Sequence, residues 1–109
     1  MRRYQLSDMV KGWFVGDFDR SALRSNVAEV AVKNYAAGDR EEQHYHLIAT
    51  EVTLIQSGVA NINGEIFNAG EIVVVEPKAA VEFLAVTAVT TVVVKVPSIP
   101  GDKYFGECS

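Results

Sequence analysis

The sequence predicts an all-β fold, a small sandwich or barrel. Short β-rich segments recur from Val27 onward at regular spacing, with Gly, Asn, Asp or Ser between them. Helical periodicity is nearly absent. The chain has 109 residues, 49% hydrophobic and 22% charged, which suits one domain with a packed core.

The elements follow in order. Residues 1–26 form an N-terminal extension. Within it GWFVGDF is apolar enough for an edge strand, and DRSALRS is expected to make one helical turn capped by Asp17 or Asp19. Residues 27–97 carry the barrel. VAEVAVKNY ends at the turn Ala37-Gly38-Asp39. EEQHYHLI and TEVTLIQS follow, closed by Ser57-Gly58. VANI and EIF flank Asn63-Gly64, a two-residue hairpin signal because both residues tolerate positive φ. EIVVVE runs into Pro77, which suits a strand end, and VEFLAVT and TTVVVKV complete the set. Residues 98–109 read as a C-terminal tail.

Charge and composition narrow the function. A net charge of −4 does not favour nucleic acid or an anionic membrane surface, both of which call for clustered Lys and Arg. The first residues lack the apolar run of a signal peptide, and IVVV and TVVV are too short to span a bilayer. The single cysteine, Cys108, has no internal partner, so a reducing cytoplasm is the expected compartment.

The stretch HYHLIATE holds both histidines. On a strand, residues two apart face one side about 7 Å apart. His44 and His46 therefore project together, and each can bring a nitrogen to about 2.1 Å from a shared metal ion. Strict alternation would turn Glu51 to the other face unless the chain bends or bulges between Leu47 and Glu51. HxH alone is a weak motif, and two hydrogen-bonded strand histidines are the plain alternative.

The wider spacing is more specific. Five residues separate Gly38 from His44, one separates the histidines, four lead to Glu51 and six more to Gly58. This resembles the first motif of the cupin superfamily, and Ala49-Thr50-Glu51 is similar to its germin-like form. The resemblance implies a small jelly-roll β-barrel with a metal site of His44, His46 and Glu51 in its mouth. It also implies a divalent transition metal cofactor (Mn, Fe, Ni or Zn) and a homodimer. The aromatic Trp13, Phe14 and Phe18 independently call for cover, on a partner or on the chain's own barrel.

The second cupin motif is degenerate. Six residues rather than five intervene between Gly70 and Pro77, and Ala79 replaces the second glycine. Counted from Pro77, the third histidine's place falls on Glu82, which is either a substitute ligand or a solvated strand residue. Alternation decides: if Phe83 points inward, Glu82 points out.

Cupins host many reactions and also non-catalytic binders, so fold does not choose the function. One reading is a metal-dependent enzyme acting on a small oxygen-rich metabolite, by oxygenase, isomerase, lyase or decarboxylase chemistry. The other is a non-catalytic module that binds a small ligand or a partner. Tyr35 and Gln56 are the expected substrate contacts inside the barrel, with Glu42 and Tyr45 also near the motif; no catalytic residue is assigned. Arg40 falls in a turn, and Lys33 and Lys95 are expected on outer faces, which disfavours a phosphosugar.

Overall fold

The structure, a computed structural model, describes residues 1–109. Eleven strands run in order: β1 (Trp13–Gly16), β2 (Leu23–Arg24), β3 (Glu29–Tyr35), β4 (Arg40–Tyr45), β5 (Thr50–Ser57), β6 (Val59–Ile62), β7 (Glu65–Asn68), β8 (Ile72–Val75), β9 (Val81–Ala85), β10 (Val89–Val96) and β11 (Tyr104–Phe105). They form a six-stranded sheet, β2-β1-β3-β10-β5-β8, and a five-stranded sheet, β11-β4-β9-β6-β7. From β3 to β6 the chain alternates between the two sheets, and it does so again from β7 to β10, the winding of a jelly roll. No helix is long and apolar enough to cross a membrane.

The inner faces read as the period of two demands. On β9, Val81, Phe83 and Ala85 are buried while Glu82 is exposed. On β5, Thr53 and Ile55 are buried and Gln56 is exposed. Ile55 and Val89 from one sheet meet Ala60, Ile62, Phe83 and Ala85 from the other in a single apolar core. That core fills one end of the barrel and leaves the other for polar groups.

Two turns show why these residues close the strands. Asn63 and Gly64 both take positive φ, at 52° and 85°, and join β6 to β7 as a tight hairpin. Gly58 sits at φ 87° between β5 and β6, where a Cβ would strike the carbonyl oxygen of Ala88.

The ends of the chain are built into the sheets. β1 pairs antiparallel with β3 and covers its own barrel, with Trp13 lining the interior. DRSALRS makes no helical turn. Asp17 and Asp19 instead hold Arg24, at 3.1 and 2.8 Å, and the chain around them is bends followed by β2. The Asp17 N–H donates to Ser98 Oγ, whose hydroxyl donates to Glu29 Oε2, both at 2.8 Å. Residues 98–109 add β11 to the edge of β4 and bury Ser98 and Asp102.

Candidate metal centre

His44 is the penultimate residue of β4, and His46 is the first residue after that strand, whereas Glu51 is the second residue of β5 in the opposite sheet. The alternation argument therefore does not apply across this stretch. The chain leaves one sheet, turns through residues 46–49 and enters the other, so the histidines and the glutamate face each other across the barrel mouth. One ligand atom from each of His44, His46 and Glu51 lies within 4.8 Å of the others.

The turn is held by Asp102. Its carboxylate accepts the backbone N–H groups of Leu47 (2.8 Å), Ile48 (3.1 Å) and Ala49 (2.9 Å). Burial alone would raise its pKa, but these three donors hold Asp102 below the usual carboxylate range. It is a buried acid in a position no local pattern marks.

The donor set fits a cation. His44 Nδ1 lies 2.8 Å from the Glu42 carbonyl, which can only accept, so Nδ1 carries the proton and the Nε2 lone pair is free. His46 Nε2 is buried with no hydrogen-bond partner. Burial depresses the His46 pKa to about 4, helped by Lys95 and His44, so the ring is neutral at pH 7. Burial pushes the Glu51 carboxyl up, with Lys95 opposing. Two imidazoles and one carboxylate form a borderline-soft set suited to divalent transition metals.

Beside these groups lies a cavity of about 220 Å³. Tyr35 lines it, and its hydroxyl donates to Glu41 Oε2 at 3.0 Å. Burial, reinforced by Glu41, drives the Tyr35 pKa far up, so this phenol stays protonated. Burial would raise Glu41, yet Lys33 and the Tyr35 hydroxyl bring it below its ordinary value.

Three expectations are corrected here. Glu82 lies outside the cluster: it is exposed, and its neighbours Val81 and Phe83 line the cavity instead. Counted from Gly70 rather than Pro77, the third histidine's place falls on Val81, whose register partner is His44. Gln56 is exposed at the outer face of β5 and does not reach the interior. Lys33 and Lys95 point inward, each with only 15% of its side chain exposed. Tyr45 stacks on Tyr104, away from the cavity.

No family model matches the sequence, and no curated protein matches it. Solved structures do. An uncharacterised conserved protein with a double-stranded β-helix domain from Klebsiella pneumoniae subsp. pneumoniae MGH 78578 superposes with a TM-score of 0.74 at 19% identity, over 98% of this chain and 93% of that one. The chain has the cupin fold. Among other cupin structures, the DMSP lyase DddQ from Ruegeria pomeroyi DSS-3 gives a TM-score of 0.72 at 15% identity, over 85% of this chain and 49% of that one. Oxalate decarboxylase from Bacillus subtilis gives 0.64 at 14% identity, over 74% of this chain and 24% of that one. The cupin metal motif of His44, His46 and Glu51 is thus present here as a spatial cluster, with Val81 where a third imidazole would stand.

Proposed function

We propose that the protein is a small metal-dependent enzyme acting on a small oxygen-rich metabolite, with His44, His46 and Glu51 holding a divalent transition ion. The observation that carries this is the buried, unpartnered Nε2 of His46 beside His44 and Glu51. A buried polar atom without a hydrogen bond costs about 1–3 kcal/mol, and a bound cation removes that cost. Mn, Fe, Ni or Zn would supply Lewis-acid or oxygen-binding chemistry at this position.

The chain's own groups prepare the cavity for such work. His44 is fixed in orientation by the Glu42 carbonyl. Tyr35, held protonated, donates its hydroxyl to Glu41, which is held ionised and accepts that hydrogen bond at 3.0 Å. The valines at 73, 75, 81 and 93 give the cavity an apolar wall. Lyase and decarboxylase neighbours support enzyme chemistry on a small substrate without choosing the reaction.

One observation favours a second reading, a non-catalytic ligand-binding module: Val81 offers no third imidazole. Elemental analysis of purified protein beside the His44→Ala/His46→Ala double variant separates the two. About one transition metal per chain, lost in the double variant, supports the enzyme. No metal, and no thermal stabilisation by added Mn, Fe, Ni or Zn, supports the module.

The assembly we propose is a homodimer. Ile66, Ile72 and Val74 are exposed on the edge strands β7 and β8 and would provide the apolar surface. A monomer mass by light scattering at all concentrations would reject it. The lone, half-exposed Cys108 suits a reducing cytoplasm.

A further inference from the structure

The cavity beside His44 is cationic on one wall. Lys11, Lys33, Lys95 and Lys103 line it against Glu41 and Glu51, with Glu29 behind Lys95. Positive charge is in excess before any metal ion is counted. Lys33 and Lys95 both place their ammonium groups against the indole of Trp13, 5.1 and 4.9 Å from the ring centroid.

These two ammonium groups are poorly satisfied by the protein. Lys33 stands 3.9 Å from Glu41, and Lys95 stands 3.6 Å from Glu29. Both distances exceed the roughly 2.7–2.9 Å of a charge-assisted hydrogen bond. An ammonium has three donors, and leaving them unmet in a buried site is unfavourable. A second group tells the same story: Thr91 Oγ1 is buried without a partner and lies on β10 directly across from Lys33. Cation donors and an orphaned hydroxyl therefore face one cavity. Its remaining wall is apolar, built from Val73, Val75, Val81 and Val93.

We infer that this cavity binds a small organic carboxylate, its charged oxygens between the ammonium groups of Lys33 and Lys95 and the Thr91 hydroxyl, its short carbon skeleton against the valines. The apolar wall argues for a carbon skeleton rather than inorganic phosphate. A volume of about 220 Å³ limits that skeleton to a few carbons. The inference names the substrate class of the proposed function and rests on reading the cavity as the substrate site; the lysine contacts themselves do not require the metal.

Trp13 is the only tryptophan and touches both lysines, so its emission reports on their surroundings. The test titrates malonate, the uncharged malonamide and inorganic phosphate into chelated and Mn-loaded protein, reading Trp13 emission and melting temperature. Saturable binding of malonate at least about tenfold tighter than malonamide or phosphate is expected, as is a further weakening of about tenfold in Lys33→Gln or Lys95→Gln. Malonate binding of the same strength in chelated and Mn-loaded protein is also expected, even if the purified protein proves to hold no metal. Equal binding of malonate and malonamide overturns the inference, as does equal binding of phosphate. Malonate binding that appears only in Mn-loaded protein overturns the lysine assignment while leaving the metal reading intact. Should the lysine variants fail to fold, the malonate–malonamide comparison on the unaltered protein decides alone.

Discussion

Asp102 Oδ1 accepts the backbone N–H of Leu47 at 2.8 Å, across 55 residues of chain. With Ile48 and Ala49 bound to the same carboxylate, this contact sets the turn that brings His46 opposite Glu51. Asp102→Ala leaves three backbone donors without their charged acceptor. We expect about 3 kcal/mol of lost stability by urea denaturation, and weaker metal retention on dialysis than the parent. Because the Asp102 pKa is depressed in the folded state, its contribution is fully present above the ordinary carboxylate range and is lost as pH falls from that range through the lower folded-state value. Unchanged stability in Asp102→Ala would mean the turn is held by other contacts.

Metal-free protein should also lose stability at a higher pH, through His46. Burial lowers this imidazole to about 4 in the folded state. The unfolded chain takes up a proton near pH 6.5, which the folded chain resists. Stability should therefore fall between about pH 6.5 and 4, by roughly 3 kcal/mol at most. Urea midpoints of chelated protein at pH 7.5 and pH 5 measure this, and His46→Gln should flatten the difference. An equal slope in parent and variant would assign the loss to other groups.

The strands from β3 to β10 were legible because they are short β-rich segments, most of them bounded by residues with turn chemistry, as at Asn63-Gly64. The cluster of His44, His46 and Glu51 was legible from the resemblance to the first cupin motif, since strand alternation alone turned Glu51 away from the histidines. What spacing does not carry is the partner that bends the chain, since Asp102 is remote in sequence and has no local signature. Lys33 and Lys95 were misassigned for a related reason. A lone lysine in a strand ordinarily faces water, and the carboxylates that accompany these two inward, Glu41 and Glu29, lie on different strands. Asp17 and Asp19 looked like helix caps because their real partner, Arg24, lies beyond the turn they would have started.

Glu82 offers a negative control. Its carboxylate is exposed on the outer face of β9, and only its backbone is engaged: the Glu82 N–H donates to Asn63 Oδ1 at 2.9 Å, and the Glu82 carbonyl accepts the Asn63 N–H at 3.1 Å. Glu82→Gln should leave metal content unchanged and shift stability by less than about 0.5 kcal/mol. A drop in bound metal in this variant would require a different side-chain placement on β9.

Val81 is where metal affinity should be improvable. It is buried, lines the cavity and pairs in register with His44. Val81→His places a third imidazole on the inner face of β9 beside the existing two. A further neutral nitrogen donor should tighten binding of Ni or Zn by about tenfold or more, comparable to about 1.4 kcal/mol, read by competition with a chromogenic chelator. The same change buries a polar ring in an apolar wall, so the metal-free variant should melt lower than the parent and recover on metal addition. Opposite shifts in the two states, down without metal and up with it, are what a ligand position predicts. A variant that melts lower in both states, with affinity unchanged, would mean the inner face at residue 81 does not reach the ion held by His44, His46 and Glu51.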